Sequence, residues 1–326
     1  MITRRSFAVG LTALGASTFG VKSGAADKYP SHPIKILVPA GPGGPSDIVA
    51  RLASQALTEA LGQSGVVDHR PGAGGVIAAR ELVKSAPDGY TLLCGGTAML
   101  AVIPALSRTA GYDPTRDFTP IAEMMNAFQV LVVRSSAPWK SIEDLLSYAK
   151  ANPGKLNFAH IGPGHLTHLA GELLMANAGV SILGVPYRGT GESLTAVLGG
   201  SVEMTFESIA IVLPLIREGT LRGLAVTGRN RTPLAPELPT LSEAGLTDYE
   251  VTTFFGAIAP AGTPKPIVQL LNATLNDALS KPSAQQMFAN LGAVPRTVSP
   301  DQFGETIASN VAKWRTLGRT AHIQIN

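Results

Sequence analysis

Residues Ile34–Leu61 read IKILVPAGPGGPSDIVARLASQALTEAL, and the order of their patterns decides the fold. Ile34, Ile36 and Val38 alternate as a strand does, Pro39 ends the run, and Gly41, Gly43 and Gly44 free the backbone to turn. Ser46 or Asp47 is the expected cap of a helix whose Ile48, Val49, Leu52, Ala53, Ala56, Leu57, Ala60 and Leu61 share one stripe. Gly62 is its expected stop. Strand, glycine loop and helix in direct succession build a binding site, because the free N–H groups at the helix start attract anions.

The unit recurs along the chain. Gly65–Val67 leads through Arg70-Pro71-Gly72-Ala73-Gly74-Gly75 into a helix over Val76–Lys84, and Tyr90–Leu93 is a strand ending at Gly95-Gly96-Thr97. Three such units in sequence predict a parallel α/β sheet with its loops gathered at one edge. Tyr112–Pro120 is a polar, proline-punctuated connection, and Gln129–Val133 a strongly β-forming run at which the chain is expected to cross into a second lobe. There a helix over Trp139–Ala151, capped by Ser141, precedes further units. These are Leu156–Ala159 with Gly162-Pro163-Gly164 and a helix over His165–Ala178, then Ile182–Tyr187 with Arg188-Gly189-Thr190-Gly191 and a helix over Glu192–Leu198. Strands at Val202–Phe206 and Leu221–Thr227 follow, Val251–Ile258 reads as the return crossover, and helices over Ile267–Ser280, Ala284–Leu291 and Asp301–Arg319 close the chain. The organisation expected is therefore two α/β lobes, residues 27–128 with 253–326 and residues 129–252, around a ligand cleft.

The first 26 residues read differently. Arg4-Arg5, a short apolar run over Ala8–Val21 and small residues at Gly24-Ala25-Ala26 form an export signal of twin-arginine type, with an ordinary secretory signal as the alternative. That segment carries Arg4, Arg5 and Lys22 and no acid, so without it the formal charge of +3 falls to about zero. A nucleic-acid surface is thereby excluded. Cys94 is the one cysteine, and neither a disulfide nor a lipid anchor is expected. A soluble periplasmic protein follows, a monomer by expectation, since cleft closure needs lobes free to move.

Nucleotide and catalytic motifs fail in detail. Gly41–Ser46 lacks the dinucleotide spacing, Gly162-Pro163-Gly164 has Thr167 where a third glycine belongs, and no G-x-x-x-x-G-K-[ST], G-x-S-x-G or H-E-x-x-H occurs. His160, His165 and His168 with Glu172 have helix-face spacing for a metal, but the remaining ligands of such a site cannot be named, so hydrogen-bonding histidines are expected and no metal or cofactor. Arg188 is the cation best suited to hold a carboxylate, or else a surface ion-pair partner; Arg70 is equally open, and Arg51 can pair with Asp47 one turn earlier.

The stretches YPSHPIKILVPAGPGGPSDIVAR, DHRPGAGG, SAPDGYTLL, YDPTRDFTPIA, NFAHIGPGHLTHLAGELL, VPYRGTGESLTAVLGGSVEM, GTLRGLAVTG, LPTLSEAGL and FFGAIAPAGTP, in this order, resemble the Bug family of tripartite tricarboxylate transporter receptors, the TctC-type solute-binding proteins. The resemblance spans nearly all of the chain beyond the export signal. It implies a two-lobed periplasmic binding protein of type II, non-enzymatic, that closes on a small carboxylate and hands it to membrane permease subunits. Site residues implied in the first lobe are Pro42, Gly43 and Gly44, with Asp47 at the helix start, Gly74 in the second glycine loop, and Thr97. In the second lobe they are Gly162, Gly164, His165, Tyr187, Arg188, Gly189 and Glu207. The family commonly carries Ser or Thr where this chain has His165. A larger ring that can stack points to an aromatic or cyclic carboxylate. A periplasmic enzyme using His165 or His168, and a receptor presenting its ligand to a sensor protein, are the alternatives.

Overall fold

The computed structural model describes residues 29–325, so the export signal expected over residues 1–26 lies outside it. Ile34–Val38 forms β1, which is buried on both sides. Ile34, Ile36 and Val38 enter one core with Val49, Ala53 and Leu57 of α1 (Pro45–Leu61), while Leu37 enters another with Ala78, Ala79 and Leu82 of α2 (Val76–Val83). Helices on both faces are what a strand of a parallel sheet requires. β1 pairs in parallel with β2 (Gly65–His69) on one side and β3 (Thr91–Gly96) on the other. Gly62 stops α1 in the left-handed conformation, but the cap is Gly44 rather than Ser46 or Asp47. Pro45 explains the shift: it has no N–H to be capped and its fixed φ suits the first helical position.

Beyond β3 the chain makes a wide helical turn over Ala98–Val102 and the short α3 (Ile103–Leu106), then enters β4 (Phe118–Arg134). α4 (Ile142–Ala151) starts at a reciprocal cap between Ser141 and Asp144. There follow β5 (Asn157–His160), α5 (Leu166–Ala178), β6 (Leu183–Pro186), α6 (Thr190–Gly199), β7 (Met204–Ser208), α7 (Ile209–Arg217) and β8 (Leu221–Val226). The chain returns along β9 (Thr252–Pro260) and ends with α8 (Lys265–Ser280), α9 (Pro282–Asn290), β10 (Ala293–Pro295) and α10 (Pro300–Thr320). The strands lie in the order β2-β1-β3-β9-β4-β7-β5-β6, with β8 and β10 also on β4.

Three differences from the sequence reading have physical causes. The sheet is mixed rather than parallel: β2-β1-β3 and β6-β5-β7 are parallel groups, whereas β9 runs antiparallel to both β3 and β4, and β4 antiparallel to β7 and β8. A chain that leaves one half of a sheet and later returns must lay its two connecting strands in opposite directions. β4 also begins at Phe118, well before the expected run at Gln129, because Ile121, Ala122, Met124 and Met125 are buried on it between β9 and the helices. Finally, α7 was not expected: IAIVLPLIR shows no polar face and holds Pro214, yet it packs Ile209, Val212 and Leu213 into a core with β4 and β8.

β4 changes partners at one point. Phe118–Phe128 pair with β9, whereas Gln129–Val133 pair with β7. The Gln129 N–H donates to the Thr227 hydroxyl at 3.0 Å, and that hydroxyl and the Thr227 N–H both donate to the Gln129 carbonyl, at 3.2 and 2.9 Å. Thr227 is fully buried. Thr227→Val should strand the Gln129 N–H and cost about 1–3 kcal/mol, read from urea unfolding; an unchanged midpoint would show that this clamp contributes nothing.

Candidate ligand-binding cleft

The β1–α1 and β5–α5 glycine loops are fastened from behind by polar side chains. In the β1–α1 loop Asp47, only 2 % exposed, accepts the Gly43 N–H and the Arg51 Nε–H through Oδ2, each at 2.9 Å, and meets His69 Nε2 at 2.8 Å through Oδ1. The Arg51 hydrogen bond first, and the Gly43 N–H next, pull its carboxyl down to about 2. The second loop winds through four consecutive residues of positive φ, Gly72 to Gly75, with Ala73 among them at +47°. Only glycine takes such a path freely, and a Cβ at Gly74 would lie 2.5 Å from Ile103 Cδ1.

The β5–α5 loop is held by three side chains. His160 Nδ1 accepts the Gly162 N–H at 3.2 Å, His168 Nδ1 accepts the Gly164 N–H at 3.3 Å, and the Thr167 hydroxyl accepts the Ile161 N–H at 3.1 Å. His165 caps α5, its Nδ1 accepting the Thr167 N–H at 3.2 Å. An Nδ1 that accepts carries no proton, so in this geometry His160 and His165 act as neutral acceptors. Burial, then the neighbouring His168, lowers the pKa of His160 below 6.5. His165 reaches solvent but stands among enough protein to be partly desolvated, which lowers its pKa too.

These loops converge on a cavity of about 410 Å³. One wall is Pro39, Ala40, Ser46 and Gly74; the end of β3 and the helical turn after it add Gly96, Thr97 and Met99. Gly164, His165 and Leu166 form the opposite lip, and Gln129, Thr253 and Phe255 the floor. No Lys, Arg, Asp or Glu lines it among the described residues, so the polarity on offer is that of the α1 and α5 helix starts, a few side chains and backbone. A wider recess of about 560 Å³ lies at Asn126, Phe128 and α10. Its arginines are matched by carboxylates, Arg229 with Glu250, Arg231 with Glu243 and Arg296 with Glu123, which leaves the smaller cavity as the better anion site.

Of the residues named from sequence, Gly74, Thr97, Gly164 and His165 stand on the cavity wall. The Thr97 hydroxyl, fully buried, accepts the Phe254 N–H at 2.8 Å and so ties β3 to β9. Pro42, Gly43 and Gly44 lie on the exposed side of the first loop, and Gly162 beside the lip, with open space where a Cβ would stand on each of these glycines. Asp47 sits behind its loop, both oxygens engaged. Tyr187, Arg188 and Gly189 belong to the β6–α6 loop, outside the cavity lining, with Arg188 exposed. Glu207 is 2 % exposed beneath that loop: Oε2 accepts the Thr190 hydroxyl at 3.1 Å, Oε1 has no partner, and burial raises its pKa. Gln129, Thr253 and Phe255 were missed, though a glutamine opening the apolar run Val130–Val133 was a legible signal.

The profile described as "Tripartite tricarboxylate transporter family receptor" matches residues 49–322. The chain belongs to this receptor family. Among relatives of this TctC receptor, protein BugT of Bordetella pertussis is 38% identical over 290 residues, 89% of each chain. A TctC solute-binding protein from Polaromonas, solved without ligand, is 27% identical with a TM-score of 0.83, covering 90% of this chain and 99% of its own. An R. palustris protein solved with adipate is 36% identical with a TM-score of 0.70, covering 91% and 99%. Mixed α/β architecture and family together make this the fold of periplasmic solute-binding proteins, two lobes about a cleft. No described helix of this receptor is long and apolar enough to cross a membrane.

Two outcomes test the loop supports. Asp47 is held below its ordinary value of 3.8, so its contribution is complete above that pH and vanishes as pH falls towards about 2. Asp47→Asn should cost about 1.5–3 kcal/mol near neutrality and flatten that acid limb in urea titrations. His160 and His165 are lowered, so the unfolded chain binds more protons and their contribution, complete above about 6.5, is lost as pH falls below it. The melting temperature should drop from pH 7.5 to 5.5, and His160→Asn should reduce the slope; identical slopes would refute the assignment.

Proposed function

We propose that this TctC receptor is exported to the periplasm, captures a small carboxylate between lobes formed by residues 27–128 with 253–326 and residues 129–252, and delivers it to a tripartite tricarboxylate-type permease as a monomer, without catalysis. The observation that carries the reading is the convergence of the α1 and α5 starts on one cavity free of fixed charge. An anion there gains from helix dipoles and N–H donors without displacing an internal counter-ion. The exchange of partners along β4 at Phe128 and Gln129 supports the lobe boundary, and the adipate complex of the R. palustris relative supports the ligand class.

The ligand body is read from the rest of the lining. Pro39, Met99, Leu166 and Phe255 are apolar, and His165 presents a ring at the lip, a combination suited to an aromatic or cyclic carboxylate. Pro42, Gly43, Gly44 and Gly162 are assigned to the carboxylate through backbone N–H groups or bridging water. Tyr187, Arg188, Gly189 and Glu207 are assigned to the second-lobe face that reaches the ligand on closure.

A thermal-shift panel of aliphatic, alicyclic and aromatic carboxylates is the direct test. A ligand at a hundred times its Kd adds about 2.7 kcal/mol, a rise of several degrees, while amines and sugars should give none. In His165→Ser the ratio of aromatic to aliphatic affinity should fall about tenfold; an unchanged ratio would sink the ring assignment, and a panel without any shift the receptor reading itself.

A further inference from the structure

The cavity floor holds a polar group that neither the loops nor the helix starts account for. Gln129 is 7 % exposed, lines the cavity, and its Oε1 has no hydrogen-bond partner. Thr253, on the neighbouring strand β9, lines the same floor. In the ladder Ala127 faces Thr253 and Phe128 faces Thr252, which places Gln129 diagonally from Thr253 on the strands where β4 changes partners. The Gln129 backbone is clamped on both its N–H and its carbonyl by Thr227, so its side chain leaves from a fixed point. Around it the lining is otherwise apolar at Met99 and Phe255.

A buried amide oxygen without a partner is destabilising in the empty protein, and the penalty disappears when an occupant supplies the missing hydrogen bond. A half-turn of the amide exchanges its donor and acceptor ends. The group complementary to both arrangements is a hydroxyl, which donates and accepts. A second carboxylate is less suited, since it only accepts and would meet Oε1 unfavourably in one of the two.

We infer that Gln129 is the specificity-determining residue of this cleft, reading a hydroxyl on the body of the bound carboxylate, so that the ligand class is a hydroxycarboxylate with its hydroxyl towards β4 and β9. This rests on the carboxylate-receptor reading and adds to it the part of the ligand that the helix starts do not touch. A site that hydrogen-bonds a hydroxyl rejects the analogue lacking it, because the protein's polar group is then left buried and unpaired.

Calorimetric titration of the full exported chain with matched pairs tests it: benzoate against the hydroxybenzoates, butyrate against 3-hydroxybutyrate, succinate against malate. In at least one pair the hydroxylated member should bind the unaltered protein about tenfold more tightly than its parent. Gln129→Met should remove that preference, so that the hydroxylated member binds no more tightly than its parent. Should that variant fail to fold, Gln129→Asn, which keeps the amide but withdraws it by one methylene, should remove it as well. Parents that bind as tightly as their hydroxylated partners, or a preference that survives both substitutions, would overturn the inference and leave the receptor reading standing. Binding of no member of any pair would overturn the carboxylate reading, and this inference with it.

Discussion

Between Phe128 and Gln129 the strand β4 exchanges one set of hydrogen-bonding partners for another while its own backbone runs on, and both halves of the sheet are assembled on that single strand. β9 and β10 use its first part, β7 and β8 its second. Because side chains alternate along a strand, neighbouring residues at the crossing serve different places: Phe128 lines the recess towards α10, whereas Gln129 forms the floor of the cleft. The groups that fix the backbone there, Thr227 on Gln129 and Thr97 on Phe254, are buried threonines whose hydroxyls bridge strands. The cleft thus has a rigid floor under loops that are built separately.

The β1–α1 and β5–α5 loops share one construction. A buried or half-buried acceptor takes an inward N–H of the glycine segment, Asp47 at Gly43, His160 at Gly162 and His168 at Gly164. Securing the loop from behind settles its path without placing a charged side chain in the cavity. Under the proposed function an anion would be met there by helix starts and backbone rather than by a lysine or arginine, with no internal carboxylate to compete. The same design makes the support depend on protonation: Asp47, held ionised, fastens one loop, and His160, whose pKa burial lowers, fastens the other.

Much of this was legible along the chain because it is local. The alternation of Ile34, Ile36 and Val38, the stop at Gly62, the Ser141 cap and the helix over Leu166–Ala178 each depend on neighbours within a turn or two. Local rules failed where the deciding partner was remote. α7 carries a proline and no polar stripe, and it is a helix because β4 and β8 cover its buried side. Asp47 looked like a cap or a ligand group, but Pro45 moved the cap to Gly44, and His69, on another strand, takes its second oxygen.

Residue type and short spacing alone carry the repeated strand, glycine loop and helix, the near-neutral charge of the chain beyond residue 26 and the family. Which polar groups share a cavity depends on the assembled strands and helices. Gln129, Thr253 and His165 are far apart in the chain, and what unites them is the pairing of β4 with β9 and the position of the α5 start across from them. Burial without a partner is a property of assembled neighbours, so the sequence shows a glutamine at the head of an apolar run but not that its amide is left open.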